Sequence, residues 1–375
     1  MINTWSYKEE YKLIRKKILK TIDKTLSSGN IFFGKEIQQF ERNFSKYNNF
    51  KYGVAVGSGT DALHISLLAL GIGHGDEVIT VSNTAIATIS AIVSTGATPR
   101  FIDVDNNYLI DFKKIPKKIS KRTKAIIPVH LYGQSCQIDE ICKIAKKFNL
   151  KVVEDCAQAQ GAKFKNKYIG TFGDMACFSF YPTKILGAYG DGGFVGTNNK
   201  SLYEKIRQIR FYGIDQINKK NKFFKKYYSN THGVNSRIDE IQCSILNLKL
   251  KNVNKYIKQR RKLAEVYREH LKNTGLILPK EKSGNRHVYH LFVVYHNKRD
   301  LILQKLKKKN INLSIQYPYP VHKMIAYKKF NNRKMSLPQT DKFTKGIFSL
   351  PMYPTLKEET VKKFIKILKK VIKSI

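Results

Sequence analysis

Lys184 stands where a reactive amine would be useful. It follows an apolar run, Met175 to Tyr181, that reads as a buried strand, and it precedes the glycine-rich stretch Gly187-Ala188-Tyr189-Gly190-Asp191-Gly192-Gly193. A second apolar run, Leu150–Val153, ends in Glu154-Asp155 shortly upstream. An amine and a carboxylate at the ends of neighbouring buried strands suit a phosphorylated aldehyde cofactor. The lysine bonds to the aldehyde carbon, and the carboxylate keeps a ring nitrogen protonated so that the ring accepts electrons. Pyridoxal 5'-phosphate (PLP), with its amine form PMP, answers that description.

Other residues complete such a site. Gly57-Ser58-Gly59-Thr60-Asp61 links a strand to a helix. Its glycines admit an anion close to the backbone, Thr60 adds a hydroxyl, and a helix N-terminus offers free N–H groups. The run lacks the Gly-Lys-Ser/Thr ending of a Walker loop and is not a full dinucleotide fingerprint. Gln158 is spaced to reach a cofactor hydroxyl. Asp155 has a second reading as a helix N-cap, Ser179 as a backbone-bonded serine within a strand, and Lys184 as a surface lysine. What favours the cofactor reading is the bracketing of Lys184 between an apolar strand and a glycine-rich turn.

The elements that must hold these residues alternate along the chain. Strands are predicted at Tyr52–Val56, Glu77–Val81, Arg100–Val104, Ala125–Val129, Lys151–Glu154, Ala176–Tyr181 and Gly193–Gly196. Helices are predicted at 8–26, Glu36–Tyr47, Asp61–Leu70, Ala85–Ser94, Asp139–Phe148 and Lys200–Phe211. Strands alternating with helices predict an α/β fold with a mostly parallel sheet, and ligands then sit beyond the carboxyl ends of the strands. After Ser236 the pattern changes. A helical stretch from Ile238 to Leu271, with a break near Asn252, leads to strands at His287–Tyr295, Asn312–Gln316 and Ile347–Leu350 and helices at Asp300–Lys309 and Lys357–Ile375. This divides the chain into a large domain, 1–250, and a smaller α+β C-terminal domain, 251–375. The lysine-dense Lys219–Lys226 reads as a mobile loop.

The 69 Lys+Arg against 28 Asp+Glu give a net charge of +41. That invites an anionic partner. The lysines are spread along the whole chain, and no helix-turn-helix or basic arm supports nucleic-acid binding. The last helix carries Val361, Phe364, Ile365, Leu368, Val371, Ile372 and Ile375 on one face. A packed outer helix accounts for this better than a membrane-surface helix, and no apolar run is long enough to span a bilayer. The five cysteines are odd in number, lie largely in apolar runs and show no metal-ligand spacing. A reduced, cytoplasmic setting without a metal is expected.

Together these segments resemble the DegT/DnrJ/EryC1/StrS family of sugar aminotransferases, within the fold-type I PLP enzymes. The resemblance runs through Ser58-Gly59-Thr60, Gly75-Asp76-Glu77-Val78, Val129-His130-Leu131-Tyr132-Gly133-Gln134, Glu154-Asp155 with Ala157-Gln158, Gly170-Thr171-Phe172-Gly173-Asp174, Phe178-Ser179-Phe180 with Lys184, Gly190-Asp191-Gly192-Gly193 and Gly233-Val234-Asn235-Ser236-Arg237. It implies a large domain with a seven-stranded mixed, mostly parallel sheet. It implies that Lys184 bonds the cofactor and shuttles the proton, that Asp155 meets the pyridine nitrogen and Gln158 the ring hydroxyl, and that Gly59, Thr60 and Ser179 hold the phosphate. Asn235 would reach that phosphate from a second subunit of a homodimer, although the residues alone read Asn235 and Arg237 as helix caps.

The resemblance further implies transamination from L-glutamate to a keto sugar on a nucleoside diphosphate. The run Tyr181-Pro182-Thr183-Lys184-Ile185-Leu186-Gly187-Ala188 is similar to members that aminate a TDP-linked 3-keto-6-deoxyhexose, as a step towards a surface glycan such as an O-antigen. A 4-keto sugar is the alternative. A PLP-dependent sugar dehydratase would carry histidine in place of Lys184. A regulatory PLP- or nucleic-acid-binding protein is the remaining rival. Tyr181, Tyr317 and His322 are candidates to contact the sugar, and Lys226 and Arg260 to meet the diphosphate. Two positions depart from the pattern. Ala85 stands where an aromatic often covers the PLP ring, and Gln316 where a histidine usually begins the substrate-side motif.

Overall fold

The computed structural model describes residues 2–214, 227–330 and 335–375. The Lys219–Lys226 stretch, with the candidate Lys226, lies outside the described residues. Seven strands form one sheet in the order Tyr52–Val56, Gly193–Thr197, Met175–Ser179, Lys151–Asp155, Thr123–Ile126, Glu77–Val81, Thr98–Ile102. Gly193–Thr197 runs antiparallel to both neighbours, and the other pairings are parallel.

Residue alternation explains the layering. Val54 and Val56 enter one core, Ala55 the other; Met175 and Cys177 point one way, Ala176 and Phe178 the opposite way. Both faces are therefore buried, and the strands read as near-continuous apolar runs. On one face lies the helix Gly59–Ala69, capped by the Ser58 hydroxyl, which accepts from Asp61 N at 3.1 Å. On the other lies the helix Lys35–Asn48, whose Phe44 packs edge-on against Phe178 and Phe194 at 5.1 and 4.9 Å.

The long C-terminal helical stretch is two helices, Glu240–Leu250 and Val253–Leu271, separated at Lys251-Asn252. The helix Val253–Leu271, the last helix Glu358–Lys373 and the antiparallel pair Phe292–Tyr295 and Ile347–Leu350 enclose a further apolar core. The last helix buries Val361, Phe364, Ile365, Leu368 and Val371, while Ile372 and Ile375 on the same expected face are half-buried. Among the described residues, no helix is long and apolar enough to cross a membrane.

In the C-terminal region, two strands are shorter than predicted. His287–Tyr295 is a ladder only over Phe292–Tyr295. Its start wraps instead against the turn at Gly133, with Val288 N donating to Gly133 O. Asn312–Gln316 reduces to Ile311–Asn312. Its partner is the chain's own start, Ile2–Asn3, a parallel strand that the polar N-terminal sequence did not announce.

Candidate active site

Five strands joined by parallel pairings end on the same side, and Asp155 and Lys184 both follow strand ends there. Asp155 closes Lys151–Asp155, and Lys184 sits one turn past Met175–Ser179. Lys184, Gln158, Tyr181, Thr183, His290, Gln316 and Tyr317 line one cavity of about 540 Å³. Gly59 lies close by, for the adjoining strand Gly193–Thr197 brings its helix start against the strand end at Ser179. A Cβ on Gly59 would stand 2.6 Å from the Ser179 Cβ. Glycine is required because backbone meets side chain there. The first helical turn leaves the N–H groups of Gly59 and Thr60 without partners inside the helix.

Asp155 is buried. Its Oδ2 accepts from Thr88 Oγ1 at 2.9 Å and its Oδ1 from Ala157 N at 3.1 Å. Burial raises its pKa; the Ala157 N–H, the Thr88 hydroxyl and the Lys184 charge oppose that rise. Lys184 is half-buried, and loss of water lowers its pKa to about 8, with Asp155 pulling in the other direction. Gln158 accepts from Tyr132 N at 2.9 Å and donates to Tyr317 Oη at 2.9 Å. Burial, with the Asp155 charge, pushes the Tyr317 phenol up to about 12. His290 is held neutral by burial and by the nearby Lys184 and Arg260 charges, and its Nδ1 has no partner. A half-buried amine that gives up its proton near neutrality, beside a buried carboxylate and an unpaired imidazole nitrogen, is a site built to bind a polar group and move protons.

A family model described as the DegT/DnrJ/EryC1/StrS aminotransferase family matches residues 12–369. The chain belongs to that family. This aminotransferase is 41% identical over 374 residues to a dTDP-3-amino-3,4,6-trideoxy-alpha-D-glucose transaminase of Micromonospora megalomicea subsp. nigra, covering 98% of each chain. Its fold matches the crystal structure of S. venezuelae DesV in complex with a ketimine intermediate, with TM-score 0.94 and 36% identity, over 100% of this chain and 99% of that one. It also matches ntda from Bacillus subtilis with bound cofactor PMP, with TM-score 0.88 and 33% identity, over 96% of this chain and 82% of that one. The fold is that of fold-type I, as the sequence implied.

The aminotransferase does not bring every candidate residue to the cavity. Arg260 is buried, and its Nη1 donates to the carbonyls of Tyr289, His290 and Met352 at 3.2, 3.0 and 2.9 Å. It ties the C-terminal core together behind the cavity wall, so the expectation that it meets a diphosphate is corrected. His322 is also buried. Its Nδ1 is 2.7 Å from Ser82 Oγ and it does not line the Lys184 cavity, so within one chain it is a packing and hydrogen-bonding residue. Asn235 is exposed, next to Ser236, whose hydroxyl donates to Asp61 Oδ2 at 2.8 Å. Gln316 has both ends of its amide engaged, with Ser314 Oγ at 2.9 Å and Ser349 Oγ at 2.5 Å. Ala85 is half-buried at the start of the helix Ile86–Ser94.

Several participants escaped the sequence reading. Thr88 comes from the first turn of the helix after a different strand, so only the folded sheet shows it against Asp155. Glu154 is fully buried. Its Oε1 accepts from Phe172 N and Gly173 N at 2.9 and 2.7 Å, and its Oε2 from Gly170 N at 2.7 Å and His130 Nε2 at 2.9 Å. His130 Nδ1 accepts from Cys136 N at 3.1 Å, which places the ring proton on Nε2. His130, Glu154 and Cys156 bring ligand-type atoms within 4.8 Å of one another. Both Glu154 oxygens are nevertheless already saturated, and the group acts as a hydrogen-bonded knot beneath Asp155. The acidic Glu154-Asp155 pair was the available signal.

Proposed function

We propose that the chain transfers an amino group from L-glutamate to a keto-6-deoxyhexose carried on a nucleoside diphosphate, using PLP. The best candidate for the acceptor is a TDP-linked 3-keto sugar, and the product an amino-deoxy nucleotide sugar for surface glycan synthesis in the cytoplasm. The observation that carries this is the convergence of Lys184, Gln158, Tyr317 and His290 on one cavity, beside Asp155, in a chain that aligns end to end with a named sugar transaminase. The residues fit the cofactor. Lys184 would hold it covalently, Asp155 would meet its ring nitrogen and Gln158 its ring hydroxyl. Gly59, Thr60 and Ser179 would hold its phosphate, where the helix start brings Gly59 against Ser179 and the first-turn N–H groups have no partner inside the helix. The unpaired Nδ1 of His290 is an orphaned buried atom that a ligand would satisfy.

When bound, PLP supplies a carbonyl carbon and an electron-accepting ring. The chain supplies the rest. Lys184 Nζ, with a pKa of about 8, both takes and returns a proton near neutrality, as a shuttle between two carbons requires. The Thr88 hydroxyl and the Ala157 N–H hold the Asp155 carboxylate in one orientation and favour its ionised form, which a cationic ring N–H would favour further. Tyr317 is bonded to Gln158 and fixes that amide against the cavity wall. Tyr181 and Tyr317 are the sugar-side candidates. Asn235 is exposed, which leaves it free for the role proposed for it on a second copy of the chain, with a homodimer as the proposed working form.

Incubation of the purified protein with glutamate and a panel of 3-keto and 4-keto nucleotide sugars tests the proposal. Mass spectrometry and NMR would identify the amino sugar. Formation of a 3-amino product is the expected result. A 4-amino product would overturn the choice of carbon, and no amino sugar from any acceptor would overturn the substrate class.

A further inference from the structure

We propose that Trp5 is a stacking wall for the flat face of the acceptor, a specificity residue delivered by the N-terminal strand; this rests on the function proposed above. Trp5 lines the Lys184 cavity together with Tyr181, His290 and Tyr317. Its place there is built. Ile2 and Asn3 pair with Ile311 and Asn312, Thr4 N donates to Asn312 O at 3.2 Å, and Ser314 N donates to the Thr4 hydroxyl at 2.8 Å. Met352 N closes the anchor on Thr4 O at 2.9 Å. Strand pairing and hydrogen bonds at Ile2, Asn3 and Thr4 thus fix the backbone immediately before the indole, and Thr4 itself is buried.

The ring is backed as well as anchored. Trp5 lies 5.5 Å from the Tyr7 ring, and Tyr7 lies 5.7 Å from Tyr189. Tyr189 belongs to the glycine-rich stretch that follows Lys184, so the indole is braced against the loop of the reactive lysine. Trp5 stays half-buried, and Tyr181 in the same cavity is 52% exposed. The cavity thus combines a polar group, with Lys184, Gln158 and His290, and two partly open aromatic rings. Glutamate is small, flexible and ringless. A nucleoside-diphosphate hexose carries a pyranose and a base, both with faces that stack on indole. The aromatic wall therefore discriminates between the two substrates that share the lysine.

The chain has one tryptophan, so its emission reports this position alone. Wild-type holoenzyme would be titrated with dTDP and, separately, with a hexose 1-phosphate. A saturable change in emission is expected from one of them, and which one moves it identifies base or sugar as the stacked face. In kinetics, Trp5→Ala should raise the KM for the nucleotide sugar tenfold or more. It should leave the glutamate half-reaction, followed by cofactor absorbance, within twofold. Trp5→Phe should recover most of the loss. Emission indifferent to both probes, with an unchanged KM in Trp5→Ala, would overturn the proposal. So would equal slowing of both half-reactions that Trp5→Phe fails to rescue, since that marks a structural role. If the wild type converts its cofactor with glutamate but aminates no nucleotide sugar, the substrate reading falls, and the emission titration still decides the role of Trp5.

Discussion

The lowered pKa of Lys184 predicts how its amine reacts in the cofactor-free protein. The burial that costs the ammonium its water holds its pKa at about 8, against 10.5 for an ordinary lysine. At pH 7 its neutral fraction is about one in eleven, against about one in 3,000 for a lysine in water. The enrichment in free amine is thus roughly 300-fold, before any loss of access. Pulse labelling with a trace of acetic anhydride across pH 6–11, followed by peptide mass spectrometry, would read this directly, with the other lysine peptides as internal standards. Labelling of the Lys184 peptide should rise about tenfold per pH unit below pH 8 and flatten above it, since only the neutral amine reacts. In Asp155→Asn the inflection should move lower still, because the carboxylate is the group that pulls the pKa up. An inflection for Lys184 near that of the surface lysines would refute the assignment of a desolvated amine.

Further expectations concern the frame of the site. Glu154→Gln places an amide N–H where the carboxylate now receives backbone N–H donors, and should cost about 3–5 kcal/mol in urea unfolding; a loss under 1 kcal/mol would show that the knot beneath Asp155 is not structural. Gly59→Ala drives a methyl into Ser179, and should cost about 1–3 kcal/mol in stability and weaken cofactor binding in an absorbance titration; unchanged binding would remove Gly59 from the phosphate cradle. Arg260→Met orphans three carbonyls and should destabilise by about 3 kcal/mol while leaving the KM for the nucleotide sugar within twofold; a large KM effect with intact stability would restore Arg260 to the diphosphate.

Much of the large sheet was legible because its strands are buried on both faces. Tyr52–Val56 and Glu77–Val81 begin and end where the apolar runs do. The Met175–Tyr181 run overstates its strand by two residues. Pairing with Gly193 stops at Ser179, and the chain then turns towards Lys184. Lys184, Asp155, Gln158 and Ser179 were visible because each sits at a strand end inside a distinctive local pattern. Thr88 and Trp5 were not, because each enters through an element far away in sequence whose docking no local pattern encodes. Arg260 misled for a related reason. A lone arginine on an amphipathic helix reads as a solvated charge, and only the packed core shows three carbonyls converging on it.

Covalent capture of the cofactor rests on one nitrogen, Lys184 Nζ. The protein would be saturated with PLP, reduced with borohydride, digested and mapped by mass spectrometry. A phosphopyridoxyl group is expected on the peptide bearing Lys184, and Lys184→Ala should abolish both it and turnover. Modification of a different lysine, or a fully active Lys184→Ala variant, would contradict it.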